Sequence, residues 1–291
     1  RHSRQLGRDW GGFVNAVLRS LMRQEEPPWP ETNHDPVAAL AVRYSCPVWL
    51  AQRWVDRVGV EQAAVWCRAS VELPPLTLRV NTLRASRDIL LDVLAQIHCA
   101  AHATDVSPSG VRIEQNQLVQ NLPFFHEGGF YVEDEAAQLV SFLLDPQPGE
   151  RILDVCAAPG GKATHIAALM KNEGEITAME RNPARMKLVM DNCTRLGISI
   201  ITPLLSDATS ATLFRQLRTS HASSREGFDR PFDRVLVDAP CSGLGVIRRH
   251  PEGKWYKQAD QLQKHQETQR RLLETASRLL RPGGLLVYST C

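Results

Sequence analysis

From Pro148 onward the chain alternates strictly between apolar strand segments and helix segments, and this feature constrains the fold most. Five segments have strand patterns: RILDVCA, GEITAME, ISIITPLLSDA, FDRVLVDAP and GGLLVYSTC. Helical spacing predicts helices in KATHIAALMK, NPARMKLVMDNCTRLG and QLQKHQETQRRLLETASRLL, which lie between those strands. Nearly continuous apolar strands that alternate with helices are typical of a parallel, doubly wound sheet covered on both faces. We therefore predict an α/β, Rossmann-like domain over residues 148–291.

The residues before Pro148 are predicted to form three smaller parts. GGFVNAVLRSLMR has an apolar helical stripe that one helix cannot bury alone, so residues 1–26 should be the last helix of a larger helical domain. EEPPWPETNHDP breaks the helix pattern, and a linker with short helices is expected over 27–71. Strand signals in PPLTLRVN and SGVRIEQ, with helices at 86–98 and in VEDEAAQLVSFLL, predict a small α+β subdomain over 72–147.

Composition narrows the class of protein. A chain of 291 residues buries a sizeable core without covalent cross-links. Its net charge of +2 confines any nucleic-acid surface to a local patch. The apolar runs are shorter than the ~20 residues of a membrane span, and the charged opening RHSRQLGRDW does not match a secretory signal. Seven cysteines without a CxxC motif predict free thiols in a reducing cytoplasm.

The candidate functional residues follow the ends of the predicted strands. Parallel sheets bind ligands beyond the carboxyl ends of their strands, which all lie on one edge. The residues at those ends are Cys156–Lys162, Glu180, Asp207, Asp238–Cys241 and Cys291. We therefore expect one site that contains all of them.

The first three strand ends predict a nucleoside ligand. Gly160 and Gly161 allow backbone amides to approach a ligand closely, although a tight turn without a ligand has the same pattern. Glu180 is placed for ribose hydroxyls or as a charge at a helix start, and Asp207 for an adenine amino group or as a helix cap. Neither a G-x-G-x-x-G motif nor a Walker motif occurs, so a diphosphate is not expected. S-adenosylmethionine fits this description.

Two cysteines lie at the remaining strand ends, Cys241 in VDAPCSG and Cys291 in YSTC. A buried cysteine is usually a small apolar residue, but a reactive thiolate needs an electropositive, partly exposed setting. The neighbouring cation Lys162 and the basic loop GVIRRHPEGKWYK are placed to provide it. We interpret Cys46, Cys67, Cys99 and Cys193 as structural, and Cys156 as a backbone contributor to its turn. The rim has no His/Cys cluster at ligand spacing, so no metal is expected.

The basic loop is a candidate RNA-binding surface. Cations with interleaved aromatic side chains suit a phosphate backbone and unstacked bases, although a solvated loop is the alternative. The residues that we assign to this surface are Arg248, Arg249, His250, Lys254 and Trp255.

DVCAAPGGKAT, VDAPCSGLG and YSTC resemble the motifs of the Sun-type RNA cytosine-C5 methyltransferases. FVNAVLR, PPLTLRVN and RRHPEGKW are most similar to the bacterial members that methylate a cytosine of 16S ribosomal RNA and carry an N-terminal NusB-like domain. The resemblance implies a methyltransferase sheet, S-adenosylmethionine as cofactor, ribosomal RNA as substrate, and a cytoplasmic monomer. It also implies that this chain holds only the last NusB-like helix and lacks the strands that follow YSTC in the family.

The resemblance assigns roles to matching residues. Cys291 would be the nucleophile, Cys241 would help to release the product, and Asp238 and Lys162 would complete the catalytic set. Glu180 stands where aspartate is commoner, although the longer side chain still reaches a ribose. The cofactor would be bound by Cys156, Ala157, Ala158, Pro159, Gly160, Gly161, Lys162, Glu180, Arg185, Asp207 and Asp238.

The chemistry of cytosine C5 methylation explains why two cysteines would be needed, but other functions remain open. Cytosine C5 is a weak nucleophile, and thiolate addition at C6 makes it able to accept a methyl group. A cytosine methyltransferase that acts on transfer RNA or DNA fits the same residues. An enzyme that methylates an exocyclic amine needs no thiol, and a non-catalytic RNA-binding assembly module needs neither cysteine.

Overall fold

A computed structural model describes residues 10–24, 30, 34–114, 118–210 and 231–291. The chain divides into two compact units, Arg1–Val71 and Glu72–Cys291. The predicted linker segment at 25–36 lies largely outside the described residues. Among the helices of the described part, none combines the length and the apolar composition of a membrane span.

The first unit contains three described helices. They are α1 (Gly11–Leu21), α2 (Pro36–Arg43) and α3 (Val48–Ala69). Helix α3 spans 22 residues but is interrupted at Gly59, where φ is 78° and ψ is 168°, so it consists of two shorter helical stretches joined by a kink. Helix α1 matches the predicted amphipathic helix, and all of its apolar side chains are exposed.

The second unit begins with a four-stranded antiparallel sheet. Its strands are β1 (Leu76–Val80), β2 (Ala101–Ala103), β3 (Gly110–Ile113) and β4 (Phe130–Val132), in the order β2-β3-β1-β4. Helix α4 (Arg87–Gln96) packs on one face, where its leucines join the apolar side chains of β1 and β3. Strands β1 and β3 were predicted, whereas β2 and β4 were not, because three residues are too few to show a period.

The rest of the second unit is the predicted α/β domain. Its elements are α5 (Glu135–Leu144), β5 (Arg151–Asp154), α6 (Gly161–Leu169), β6 (Glu175–Glu180), α7 (Pro183–Leu196), β7 (Ile201–Leu205), β8 (Phe232–Asp238), α8 (Gly253–Tyr256), α9 (Ala259–Leu279) and β9 (Leu280–Ser289). All strand pairs in this sheet are parallel. The doubly wound α/β prediction is confirmed.

Both faces of the parallel sheet are covered, because successive side chains of a strand point to opposite faces. Ile152 packs in a cluster with Ile166 and Val189, which come from helices α6 and α7. Its neighbour Leu153 packs in a second cluster with residues of helix α9, such as Leu272. The continuous apolar pattern of β5 therefore reflects burial on both sides.

The strand order β7-β6-β5-β8-β9 indicates where in the sheet a ligand crevice is expected. From β5 the chain winds outward through β6 and β7, and then returns to β8 on the other side of β5. The order thus reverses between β5 and β8. A crevice forms at such a reversal, outside the carboxyl ends of the strands.

Candidate active site

A cavity of about 360 Å³ opens at this edge. It brings together predicted residues from all five strand ends. Those that line it are Cys156, Ala158, Lys162, Glu180, Arg185, Asp207, Asp238, Cys241 and Cys291. The remaining predicted cofactor residues, Ala157, Pro159, Gly160 and Gly161, build the turn but do not line the cavity.

The turn between β5 and α6 is fixed by side chains from helix α7. Arg185 Nη2 donates to the carbonyl oxygen of Ala158 at 2.8 Å, and Asn192 Nδ2 donates to that of Pro159 at 3.0 Å. Gly160 has φ 103°, and a Cβ there would lie 3.2 Å from Val189 Cα. Only glycine suits this position, since the conformation is left-handed and a neighbouring backbone is close.

Glu180 is almost fully buried, with 5% of its surface exposed. Its Oε1 accepts from the backbone N–H of Asn182 at 2.9 Å, and its Oε2 lies 3.4 Å from Arg185 Nη1. Helix α7 is capped instead by the side chain of Asn182, which accepts from two backbone N–H groups. The alternative of Glu180 as a helix-start charge is therefore weakened, because that place is already taken.

Asp207 follows β7 and serves a turn as well as the cavity. Its Oδ1 accepts from the backbone N–H of Thr209 at 2.8 Å and from the Thr209 hydroxyl at 2.7 Å. Burial alone would raise the pKa of Asp207, but these hydrogen bonds and the nearby Arg181 and Arg271 hold it below its ordinary value. The carboxylate is thus negatively charged at the cavity wall.

Asp238, at the end of β8, is oriented by two donors. Lys162 Nζ donates to its Oδ2 at 2.6 Å, and the Ser289 hydroxyl donates to its Oδ1 at 2.6 Å. Lys162 comes from the first turn of α6 and Ser289 from the end of β9. Three strand ends are thereby joined around one carboxylate.

Two buried groups beneath the rim have raised pKa values. Asp154, 1% exposed, has its pKa raised from 3.8 to about 7 by burial and by the charge of Asp238. Burial, with the nearby Asp154, Glu180 and Asp238 charges, raises the pKa of Cys156 to about 12. Cys156 therefore stays a neutral thiol at physiological pH, which disfavours a nucleophilic role.

The structure joins Cys241 and Cys291 in a disulfide, with a Cα–Cα distance of 6.0 Å. The expectation that all seven cysteines are free thiols is wrong for this pair. The cause is the parallel pairing of β8 with β9, which places the residues after both strands side by side. The other five cysteines remain thiols, and Cys46, Cys67, Cys99 and Cys193 are buried, as a structural role requires.

The basic loop after β8 is held by its own arginines. Arg249 donates to both carboxylate oxygens of Asp134 and to the carbonyl of Pro75, and Arg248 donates to the carbonyl of Leu73 at 3.1 Å. Lys254, 3% exposed, is buried, so direct phosphate contact does not suit it. His250 and Trp255 are exposed.

Several cavity residues escaped the sequence reasoning. These are Ala137, Val155, Arg181, Ser206, Ala208, Thr209, Val246, Thr268 and Leu272. Val155, Arg181, Ser206 and Ala208 each adjoin a predicted residue in sequence, which is a usable signal. Thr268 and Leu272 are four residues apart on α9 and share a helix face, but nothing in their types marks them. The described residues contain no group of three or more metal-ligating side chains.

The fold and the position of the cavity define a class, the Rossmann-like methyltransferases. The solved structure of a methyltransferase homologue from Pyrococcus horikoshii is 29% identical, with a TM-score of 0.74 over 88% of this chain and 77% of that one. The structure of NSun6 from the same organism, 22% identical with a TM-score of 0.72, covers 84% and 83% and shows the same fold.

The family follows from the sequence match. The family described as 16S rRNA methyltransferase RsmB/F matches residues 141–291, and a ferredoxin-like domain of RsmF/B-like methyltransferases matches residues 46–120. The chain belongs to the RsmB/F methyltransferase family.

Curated relatives are similar along nearly the whole chain. Ribosomal RNA small subunit methyltransferase B of Pseudomonas syringae is 37% identical over 99% of this chain. The protein of that name from Escherichia fergusonii is 37% identical over 96%, and a Bacillus subtilis relative is 40% identical over 96%. This chain spans 59% to 61% of the length of these relatives.

Proposed function

We propose that this chain carries the cofactor site and the catalytic cysteines of an enzyme that methylates C5 of a cytosine in ribosomal RNA, in particular 16S. The observation that carries the proposal is the meeting of Cys241, Cys291 and Asp238 at the mouth of one cavity that also contains Glu180 and Asp207. The relatives named ribosomal RNA small subunit methyltransferase B support the substrate.

The residues present fit S-adenosylmethionine. The Cys156–Lys162 turn brings backbone close to the cavity, and Glu180 offers a carboxylate to ribose hydroxyls. Asp207 lies at the third strand end, where an adenine amino group is expected. When bound, the cofactor supplies a methyl group activated by a positively charged sulfur. The hydroxyl and amine donors of the ligand would then meet two carboxylates that are already oriented by hydrogen bonds within the protein.

The chemistry that we propose uses the reduced cysteines. A disulfide sulfur is not a thiolate, so two molecules of a cellular thiol must first reduce the Cys241–Cys291 bond; they leave joined as a disulfide, and both cysteines become thiols. Cys291 then adds to cytosine C6, while Asp238 hydrogen-bonds the base edge. After C5 has been methylated and has lost its proton, elimination of the Cys291 thiolate restores the aromatic ring, with the help of Cys241.

The RNA surface that we propose includes the exposed part of the basic loop. His250 and Trp255 offer an imidazole and a stacking surface, and Arg248 hydrogen-bonds the backbone carbonyls of Glu72 and Leu73, which carry no negative charge to offset the guanidinium. Arg249 and Lys254 instead hold the loop from inside. The small sheet within residues 72–147 would extend this surface, and helix α1, within the predicted segment 1–26, would belong to a separate RNA-binding domain.

The proposal is tested by trapping the covalent adduct. Cys241→Ala, reduced and incubated with S-adenosylmethionine and ribosomal RNA, should accumulate an RNA-linked band on a denaturing gel. The band should vanish when Cys291→Ala is added, and should be absent from Cys99→Ala, a control outside the cavity. Methylated RNA without any adduct would favour the amine-methylating alternative. If calorimetry detected no binding of S-adenosylmethionine to the protein, the result would favour the non-catalytic RNA-binding module.

A further inference from the structure

The two cysteine loops lie just beyond the hydrogen bonds of the sheet. Strands β8 and β9 pair as far as Asp238 and Ser289. Within the described residues, the last backbone hydrogen bond between them runs from Ala239 N–H to the Ser289 carbonyl at 2.9 Å. The described residues show no backbone hydrogen bond between the two strands beyond this one, so the pairing of β8 with β9 ends directly before Cys241 and Cys291.

One side chain from helix α9 crosses this gap. Gln269 Nε2 donates to the carbonyl oxygen of Pro240 at 3.1 Å and to Thr290 Oγ1 at 3.3 Å. Each acceptor belongs to the residue that directly precedes a cysteine. A primary amide has two N–H donors, which is the number needed for two acceptors.

Helix α9 gives Gln269 a rigid base. Leu272, Ala276 and Leu279 follow it on the same helix, are buried, and pack against the parallel sheet. The amide is therefore placed by a packed element and not by either loop.

We propose that Gln269 is a positioning residue, whose amide bridges the two loops beyond the last hydrogen bond of the strands and sets the separation of Cys241 and Cys291. The two hydrogen bonds of the Gln269 amide hold the loops whether or not the chain methylates RNA. Its consequence for catalysis rests on the proposed function, in which one sulfur acts at C6 and the other assists release. A loosened pair would lower the rate of the covalent steps while cofactor binding stays unchanged.

The first test needs no methylation activity. The reduced whole protein is equilibrated with mixtures of glutathione and glutathione disulfide. The two thiols give two electrons and two protons as the Cys241–Cys291 bond forms, and one glutathione disulfide becomes two glutathione molecules. In Gln269→Ala, loss of the amide should lower the equilibrium constant for forming the Cys241–Cys291 bond about tenfold. For a two-electron couple this corresponds to a change of about 30 mV in reduction potential.

The matched control is Gln266→Ala, an exposed glutamine one turn earlier on the same helix. It should keep the parent equilibrium constant. Gln269→Glu should be worse than Gln269→Ala, because a carboxylate oxygen would then face the Pro240 carbonyl. A constant for Gln269→Ala within twofold of the parent, or an equal loss in Gln266→Ala, would overturn the inference.

The second test separates positioning from folding. For Gln269→Ala we expect kcat to fall at least tenfold, with KM for S-adenosylmethionine and the urea midpoint unchanged. A merely structural role would move the midpoint as well. A shifted redox equilibrium with an unchanged kcat would refute the catalytic role. If the parent forms no 5-methylcytosine, the proposed function fails, whereas the redox equilibrium still decides whether Gln269 holds the loops.

Discussion

Arg79 gives the sharpest stability prediction, because it is a fully buried cation with identified partners. It lies on β1 of the small sheet and is 1% exposed. Its Nη1 donates to Glu133 Oε2 at 2.8 Å and also to the carbonyl of Gly161, and its Nη2 donates to Thr164 Oγ1 at 3.0 Å. The first turn of α6, which follows the turn proposed to bind the cofactor, is thus tied to the small sheet.

Arg79→Met keeps an apolar stem but leaves the Glu133 carboxylate, 8% exposed, without its cation. Removing one partner of a buried ion pair costs about 3 to 5 kcal/mol, since the remaining charge stays desolvated. The double variant Arg79→Met/Glu133→Leu removes both charges and should recover at least half of the loss. Because Gly161 and Thr164 also lose a donor, S-adenosylmethionine binding should weaken in both variants.

Urea unfolding followed by circular dichroism measures the stability, and calorimetry measures cofactor binding. Arg112→Met is the matched control, since Arg112 is exposed on the neighbouring strand, opposite Thr77. Its cost should stay within about 0.5 kcal/mol. A loss below about 1 kcal/mol for Arg79→Met, or a double variant no more stable than the single one, would refute the reasoning.

Three further predictions concern the cavity. Burial raises the pKa of Asp154 from 3.8 to about 7, so the folded protein keeps a proton that the unfolded chain loses, and stability should fall as pH rises through that range. Asp154→Asn removes this pH dependence, so near pH 7 its free energy of unfolding should exceed that of the parent by up to roughly 4 kcal/mol. If the unfolding free energies of the two proteins, measured with urea, changed in parallel with pH, the prediction would be contradicted. Methylation should require a thiol reductant that opens Cys241–Cys291, and oxidised protein as active as reduced protein would exclude this. Gly245→Ala puts a methyl group 3.0 Å from the Cys291 carbonyl carbon, so the methylation rate should fall about tenfold or more at unchanged cofactor affinity.

The edge of the sheet was predictable from sequence because two simple rules combine there. Apolar periodicity gives the strands, and parallel order puts all their carboxyl ends on one side. These two rules were sufficient to place Glu180, Asp207 and Asp238 in one site. Among the partners that orient them, Lys162 and Arg185 were named through the family resemblance, whereas Thr209 and Ser289 were not predictable, because their residue types form no pattern in the sequence.

The basic loop shows that composition alone does not predict which charged side chains are free to bind a ligand. Its charges are visible in the sequence, but their directions are not. Arg249 finds Asp134 and Pro75, which are 115 and 174 residues away, and these contacts depend on how the small sheet meets the α/β domain. The Cys241–Cys291 bond spans 50 residues and depends likewise on strand pairing. Both features are tertiary contacts between residues far apart in the sequence, so no local sequence pattern predicts them.

Asp238 shows how an occupied carboxylate can still serve a substrate. Both of its oxygens already accept a hydrogen bond, one from Lys162 and one from Ser289. A carboxylate has about four acceptor positions, so each oxygen retains capacity for another donor. The proposed contact with a cytosine edge therefore breaks neither existing bond. Since Lys162 belongs to the turn proposed to bind the cofactor and Ser289 lies two residues before the proposed nucleophile Cys291, the carboxylate that would hold the base is oriented by the elements that carry both proposed functions.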